Sequence, residues 1–119
     1  MDNETLHMTM LFDFFGDLLT DKQREYYDMY HNDDLSLSEI AEAVGISKQG
    51  VYDIVKRAEK ALSELEHKTG VVKKWVDAQA VLEQAEANAN RLLAMVGGDA
   101  EASALVREIV LDISTVRES

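Results

Sequence analysis

The chain has 119 residues, no cysteine, no proline and a net charge of −11. Without cysteine there is neither a disulfide nor a thiolate metal site, so the chain suits a reducing compartment and a cytoplasmic protein is expected. No segment approaches the ~20 consecutive apolar residues that span a bilayer, and the acidic start lacks the basic and apolar regions of a signal peptide; no membrane insertion is expected.

The length fits one small domain with an appendage, and abundant Ala, Glu, Leu and Lys without proline predict an all-α fold. Leu6, Met10, Leu11, Phe14, Phe15 and Leu18 recur at helical spacing and predict a helix over 5–19. Thr20 and Gln23 have the form of a capping box, opening a helix over 21–30 that packs Tyr26 or Tyr27, Met29 and Tyr30. His31, Asn32, Asp33 and Asp34 make a polar connector. Ser36 and Glu39 form a second capping box, starting a helix over 37–44 with Ile40, Ala41 and Val44 inward.

Gly45 supplies a corner where positive φ is tolerated, and Ser47 is the natural N-cap of a helix over 48–69. The inward stripe of that helix is Val51, Ile54, Val55, Ala58 and Leu62. Gly70 ends it, and a helix over 71–95 follows. In this helix Val71, Trp75, Ala78, Leu82, Ala85, Ala89, Leu92 and Val96 keep a four-three rhythm, like a coiled-coil seam. Gly97 and Gly98 break it, and Asp99 caps a last helix over 100–117. The expected organisation is a helix-turn-helix domain over 1–69 and a C-terminal helical hairpin over 70–119. The expected core of the first is Phe14, Leu18, Leu35, Leu37, Ile40, Ala41, Val44, Ile46, Val51 and Val55.

Two short helices around a glycine corner are a way of placing a helix in the DNA major groove. The candidate DNA-binding residues are Ser47, Lys48, Gln49, Tyr52, Asp53, Lys56, Arg57 and Lys60. Gln49 suits an adenine edge, and Lys48 a guanine or a phosphate. Tyr52 suits a phosphate or a stacked base, while Lys56, Arg57 and Lys60 suit the backbone. Asp53 would repel phosphate unless Arg57 neutralises it or it accepts from cytosine N4. The bland alternative is a solvated face in which Asp53 pairs with Arg57 and Lys60 with Glu64. Gly50, costly in a first turn, points to close approach of the preceding helix or of DNA, the former favoured. Charge is unevenly spread. Residues 47–74 hold seven basic and four acidic side chains, net +3, which leaves −14 for the remainder.

From Leu19 to Leu65 the order of these features resembles region 4 of bacterial sigma factors, a tri-helical unit without a wing. More closely, 18–23, 39–42 and 47–53 (the capping box, the inward turn and the start of the second helix) resemble the YlxM family. These are small bacterial helix-turn-helix proteins whose genes lie beside that of the signal recognition particle GTPase. The resemblance implies a regulatory role or one tied to protein targeting, and no catalysis.

His7, His31 and His67 are scattered without the second ligand that a helix-borne metal site wants, and no nucleophile elbow or phosphate-binding glycine loop occurs. No enzyme, metal or cofactor is therefore expected. Two functions compete. One is a DNA-binding regulator, dimerised through Trp75, Leu82, Ala85, Ala89 and Leu92, so that two modules share one operator. The other is an acidic adaptor that binds a protein of the signal recognition particle pathway and no DNA.

Overall fold

A computed structural model describes residues 3–118, and among these every regular element is helical. In order they are α1 (Asn3–Phe15), a 3₁₀ turn (Gly16–Leu18), α2 (Asp21–Tyr27), a π turn (Asp28–Asn32), α3 (Leu37–Val44), α4 (Lys48–Thr69), α5 (Val71–Met95) and α6 (Ala100–Arg117). The chain divides into two compact units, Met1–Val72 and Lys73–Ser119.

In the first unit both expected capping boxes form. The Thr20 hydroxyl accepts from the Gln23 N–H at 3.2 Å while Gln23 accepts from the Thr20 N–H at 3.1 Å. Ser36 and Glu39 exchange the same pair of bonds at 3.0 Å each. Hydrogen bonding to the carboxylate from the Ser36 backbone N–H, and second from the Ser36 side chain, favours the ionised Glu39 carboxyl and holds its pKa below the ordinary value. Gly45, at φ 78°, closes α3 with a bond from its N–H to the Ala41 carbonyl, and Gly70, at φ 63°, closes α4 in the same way. The first turn of α5 is held by the Glu66 carboxylate, which accepts from the Val72 N–H at 2.9 Å.

Two clusters fill this unit, and both lean on α4. Tyr26, Ile40, Val51 and Val55 join α2 and α3 to its first half. Leu11, Phe15, Leu19, Tyr27, Ala58, Leu62 and Val72 join α1 and the start of α5 to its second half. Tyr26 and Tyr27 are neighbours about 100° apart on the helix, so each enters a different cluster. Tyr27 is fully buried. Its hydroxyl donates to the Met8 carbonyl at 2.7 Å, and its ring stacks on Phe12 at 5.2 Å. Burial, with the Glu59 carboxylate second, pushes the Tyr27 phenol well above the usual tyrosine range.

The expected core needs three corrections. Leu11, Phe15 and Leu19, four apart, form the inward stripe of the N-terminal segment, and Phe14 lies outside it, its ring tilted against Phe15 at 6.4 Å. Leu18 is 70% exposed because the 3₁₀ turn advances faster than an α-helix and passes the inward position to Leu19. Ile46 sits on the surface of the corner beside Gly50. The second helix is also shorter than its pattern implies. After Tyr27 the backbone widens: the Asp33 N–H reaches back to the Asp28 carbonyl and the Leu35 N–H to that of Met29, both at 3.0 Å. Asp34, at φ 62°, then turns the chain toward α3 in a conformation that aspartate tolerates better than most residues. Tyr30 is left exposed.

The second unit is a helical hairpin of α6 with the remainder of α5. Asp99 caps α6 by accepting from the Ala102 N–H at 3.0 Å, and the buried Ser103 hydroxyl donates to the Val96 carbonyl at 3.0 Å. An Arg117–Glu86 bridge of 2.6 Å ties the end of α6 to α5. On α5, Lys73 donates to Asp77 at 2.8 Å, and this bond raises the lysine pKa above its ordinary value.

Candidate nucleic-acid interface

The face in question follows from the phase of α4. Val51, Val55, Ala58 and Leu62 are buried, so at about 100° per residue Gln49, Tyr52, Asp53, Lys56 and Lys60 fall on the opposite side. Lys48 and Arg57 flank that side, and all seven are exposed. The N-terminus of the helix is fixed by the Ser47 hydroxyl, which accepts from the Gly50 N–H at 3.0 Å. Gly50 earns its place here. A methyl group at this position would lie 3.2 Å from the Ser47 oxygen and 3.4 Å from the Ile46 side chain. Within the chain, the close approach is thus to the corner and its cap rather than to the body of the preceding helix.

Side chains on this face are partly bound to one another. Gln49 Nε2 donates to Asp53 Oδ1 at 2.9 Å, so Asp53 pairs back along the helix and not with Arg57. The Lys56 ammonium lies 5.6 Å from the centre of the Tyr52 ring and 3.4 Å from Glu59 Oε2. Lys60 faces Glu64 at 4.0 Å, as the solvated-face reading expects. Among the described residues Lys48 and Arg57 form no salt bridge, so their charge is available to a ligand. Lys48, Gln49 and Tyr52, with Leu37 of α3, line a shallow groove at the start of the helix.

Residues 2–95 match a family described as "Putative helix-turn-helix protein, YlxM / p13 like". The chain belongs to this family, UPF0122. It is 41% identical over 109 residues to a UPF0122 protein of Geobacillus kaustophilus, covering 92% of this chain and 96% of that one. A UPF0122 protein of Thermoanaerobacter sp. (strain X514) is 57% identical over 74 residues, 62% of this chain and 63% of the relative. The chain thus spans just under two thirds of the length of that second relative. The UPF0122 match takes in the helix-turn-helix and α5, and α6 lies beyond it.

Two side chains that matter to this face, Glu59 and His31, were not picked out from the sequence. Glu59 is mostly buried, competes for Lys56, and binds His31 of the π turn at 3.4 Å. Its i,i+3 spacing from Lys56 hinted at the first contact; the second joins residues 28 apart and depends on the π turn. No group of His, Asp or Glu among the described residues could hold a metal ion, and no described helix is long and apolar enough to cross a membrane. Along the seam of α5, Trp75 and Leu92 are exposed, while Leu82, Ala85 and Ala89 are half-buried. At the start of α5, Val72 is buried in the core of the first unit and Val71 is exposed.

Proposed function

We propose that this chain is a sequence-specific DNA-binding regulator that sets the exposed face of α4 into the major groove. The observation that carries the reading is the phase of that helix. One side is locked into the core, and the other carries Lys48, Gln49, Tyr52, Lys56, Arg57 and Lys60 in a local excess of positive charge. Ser47 fixes the helix start that would meet the base edges. Lys48 and Arg57 hold phosphates, Gln49 reads a base, and Lys56 reaches the backbone on leaving Glu59. The base and phosphate contacts that a single module makes supply limited affinity, so two copies of the chain act on one operator.

Titrating full-length protein against duplexes enriched from a random library, at rising salt, tests this. Neutralised phosphates release counterions, so affinity should fall steeply with salt, and Lys48→Ala and Arg57→Ala should each flatten that slope by roughly one unit. A second reading is favoured by the charge of −14 outside 47–74. In it the acidic surface meets a basic protein, with the signal recognition particle pathway as the candidate source. Recovery of a protein partner from lysate that survives nuclease and ignores Lys48→Ala would favour that reading over DNA.

A further inference from the structure

Asp53 sits within a face offered to a polyanion, where a surface serving phosphate alone would not carry it. Its carboxylate accepts a hydrogen bond from Gln49 Nε2 at 2.9 Å, one helical turn away. An ionised carboxylate only accepts, so it can hold the glutamine amide by the NH2 end and no other. The amide is thereby oriented. One N–H and the Oε1 oxygen remain for a ligand, on a helix start lined by Lys48, Tyr52 and Leu37. Adenine presents an acceptor at N7 and a donor at N6 in the major groove, which matches that remainder. Guanine presents two acceptors and would set its O6 against Oε1.

We propose that Gln49 and Asp53 act as one reading unit, in which Asp53 is a positioning residue that fixes the Gln49 amide for adenine and against guanine. The inference rests on the DNA-binding reading above and assigns it a base. It also accounts for the misplaced charge. Asp53 weakens phosphate attraction for every sequence alike, so more of the affinity depends on the correct base. Replacing it should therefore have two effects of opposite sign: tighter binding to unrelated DNA and poorer discrimination at one base pair. A residue that only stabilised the helix would leave that discrimination unchanged.

The experiment enriches duplexes from a random library with full-length protein, then measures affinity with each adenine of the enriched site changed to guanine or to 7-deazaadenine. The wild type should prefer adenine at one position per module by about fivefold to a hundredfold, and 7-deazaadenine, lacking the N7 acceptor, should bind more weakly. Gln49→Ala should abolish the preference. Asp53→Asn, whose amide no longer dictates the orientation of Gln49, should reduce it several-fold while raising affinity for unrelated duplex. Asp53→Glu, which keeps the acceptor-only group, should restore part of it. Thermal melts should be alike for all four proteins. An enriched site whose adenine preference survives Asp53→Asn, or which has no Gln49-dependent adenine, overturns the inference and leaves DNA binding standing. Failure to enrich any duplex removes both.

Discussion

Ile40 is the residue on which the corner of the motif turns. It is fully buried and packs with Tyr26, Val51 and Val55, which come from the two helices that must be held against α3. Ile40→Ala should cost about 2–5 kcal/mol, the range for large-to-small changes in packed cores, as measured by chemical or thermal unfolding. A loss below about 1 kcal/mol would mean that the site collapses around the gap. Positions like this were legible in the sequence because a cap, a glycine corner and an apolar period all fixed the same phase. Phe14, Leu18 and Ile46 were not: Phe14 lies beside the inward stripe on the same helix, Leu18 on the 3₁₀ turn, and Ile46 on the corner after α3 has ended. In the candidate interface, exposure of Lys48, Gln49 and Tyr52 followed from phase alone. The pairing of Asp53 did not: Gln49 and Arg57 both stand four residues away, and rotamers decide between them.

Element boundaries divide along the same physical line. The starts of α3, α4 and α6 carry side-chain caps, and α3 and α4 end on left-handed glycines. Their bounds are those the sequence predicts. No glycine or proline marks the change from α2 to the π turn; the partners that Tyr27 and His31 meet there, Met8 and Glu59, lie 19 and 28 residues away and leave no local signature. The capping box of α3 has a pH consequence. Its bonds from Ser36 lower the Glu39 pKa in the folded state, so the stabilisation is full above the ordinary glutamate value of about 4.3. It is lost as pH falls through the lowered folded value. Glutamine serves equally as the N3 member of such a box and does not titrate. Glu39→Gln should therefore keep neutral stability close to wild type and reduce the loss between mildly acidic and strongly acidic pH. Melting temperatures of both proteins across that range check it; identical acid sensitivity would show that other carboxylates dominate.

At the scale of the whole molecule, the second unit is the part least able to stand alone. Within Lys73–Ser119 only Ser103 and Val106 are buried among the described residues, a small core for two long helices. Leu105, Ile109 and Val116 form an exposed stripe at spacings of four and seven along α6, and Val81, Leu92 and Met95 are exposed on α5. Apolar surface of this extent, between charged residues, is characteristic of an interface. A second copy of the chain is the occupant that the proposed function requires, because it pairs two modules on one operator. The expected outcome is a dimer by light scattering, with Ile109→Glu driving it to monomer through burial of an unpaired charge. The same substitution should leave the helix content of the first unit intact and weaken binding to a two-half-site duplex far more than to a single half-site. Wild-type protein that remains monomeric at high micromolar concentration would end the dimer proposal. A dimer indifferent to Ile109→Glu would move the interface off this stripe of α6.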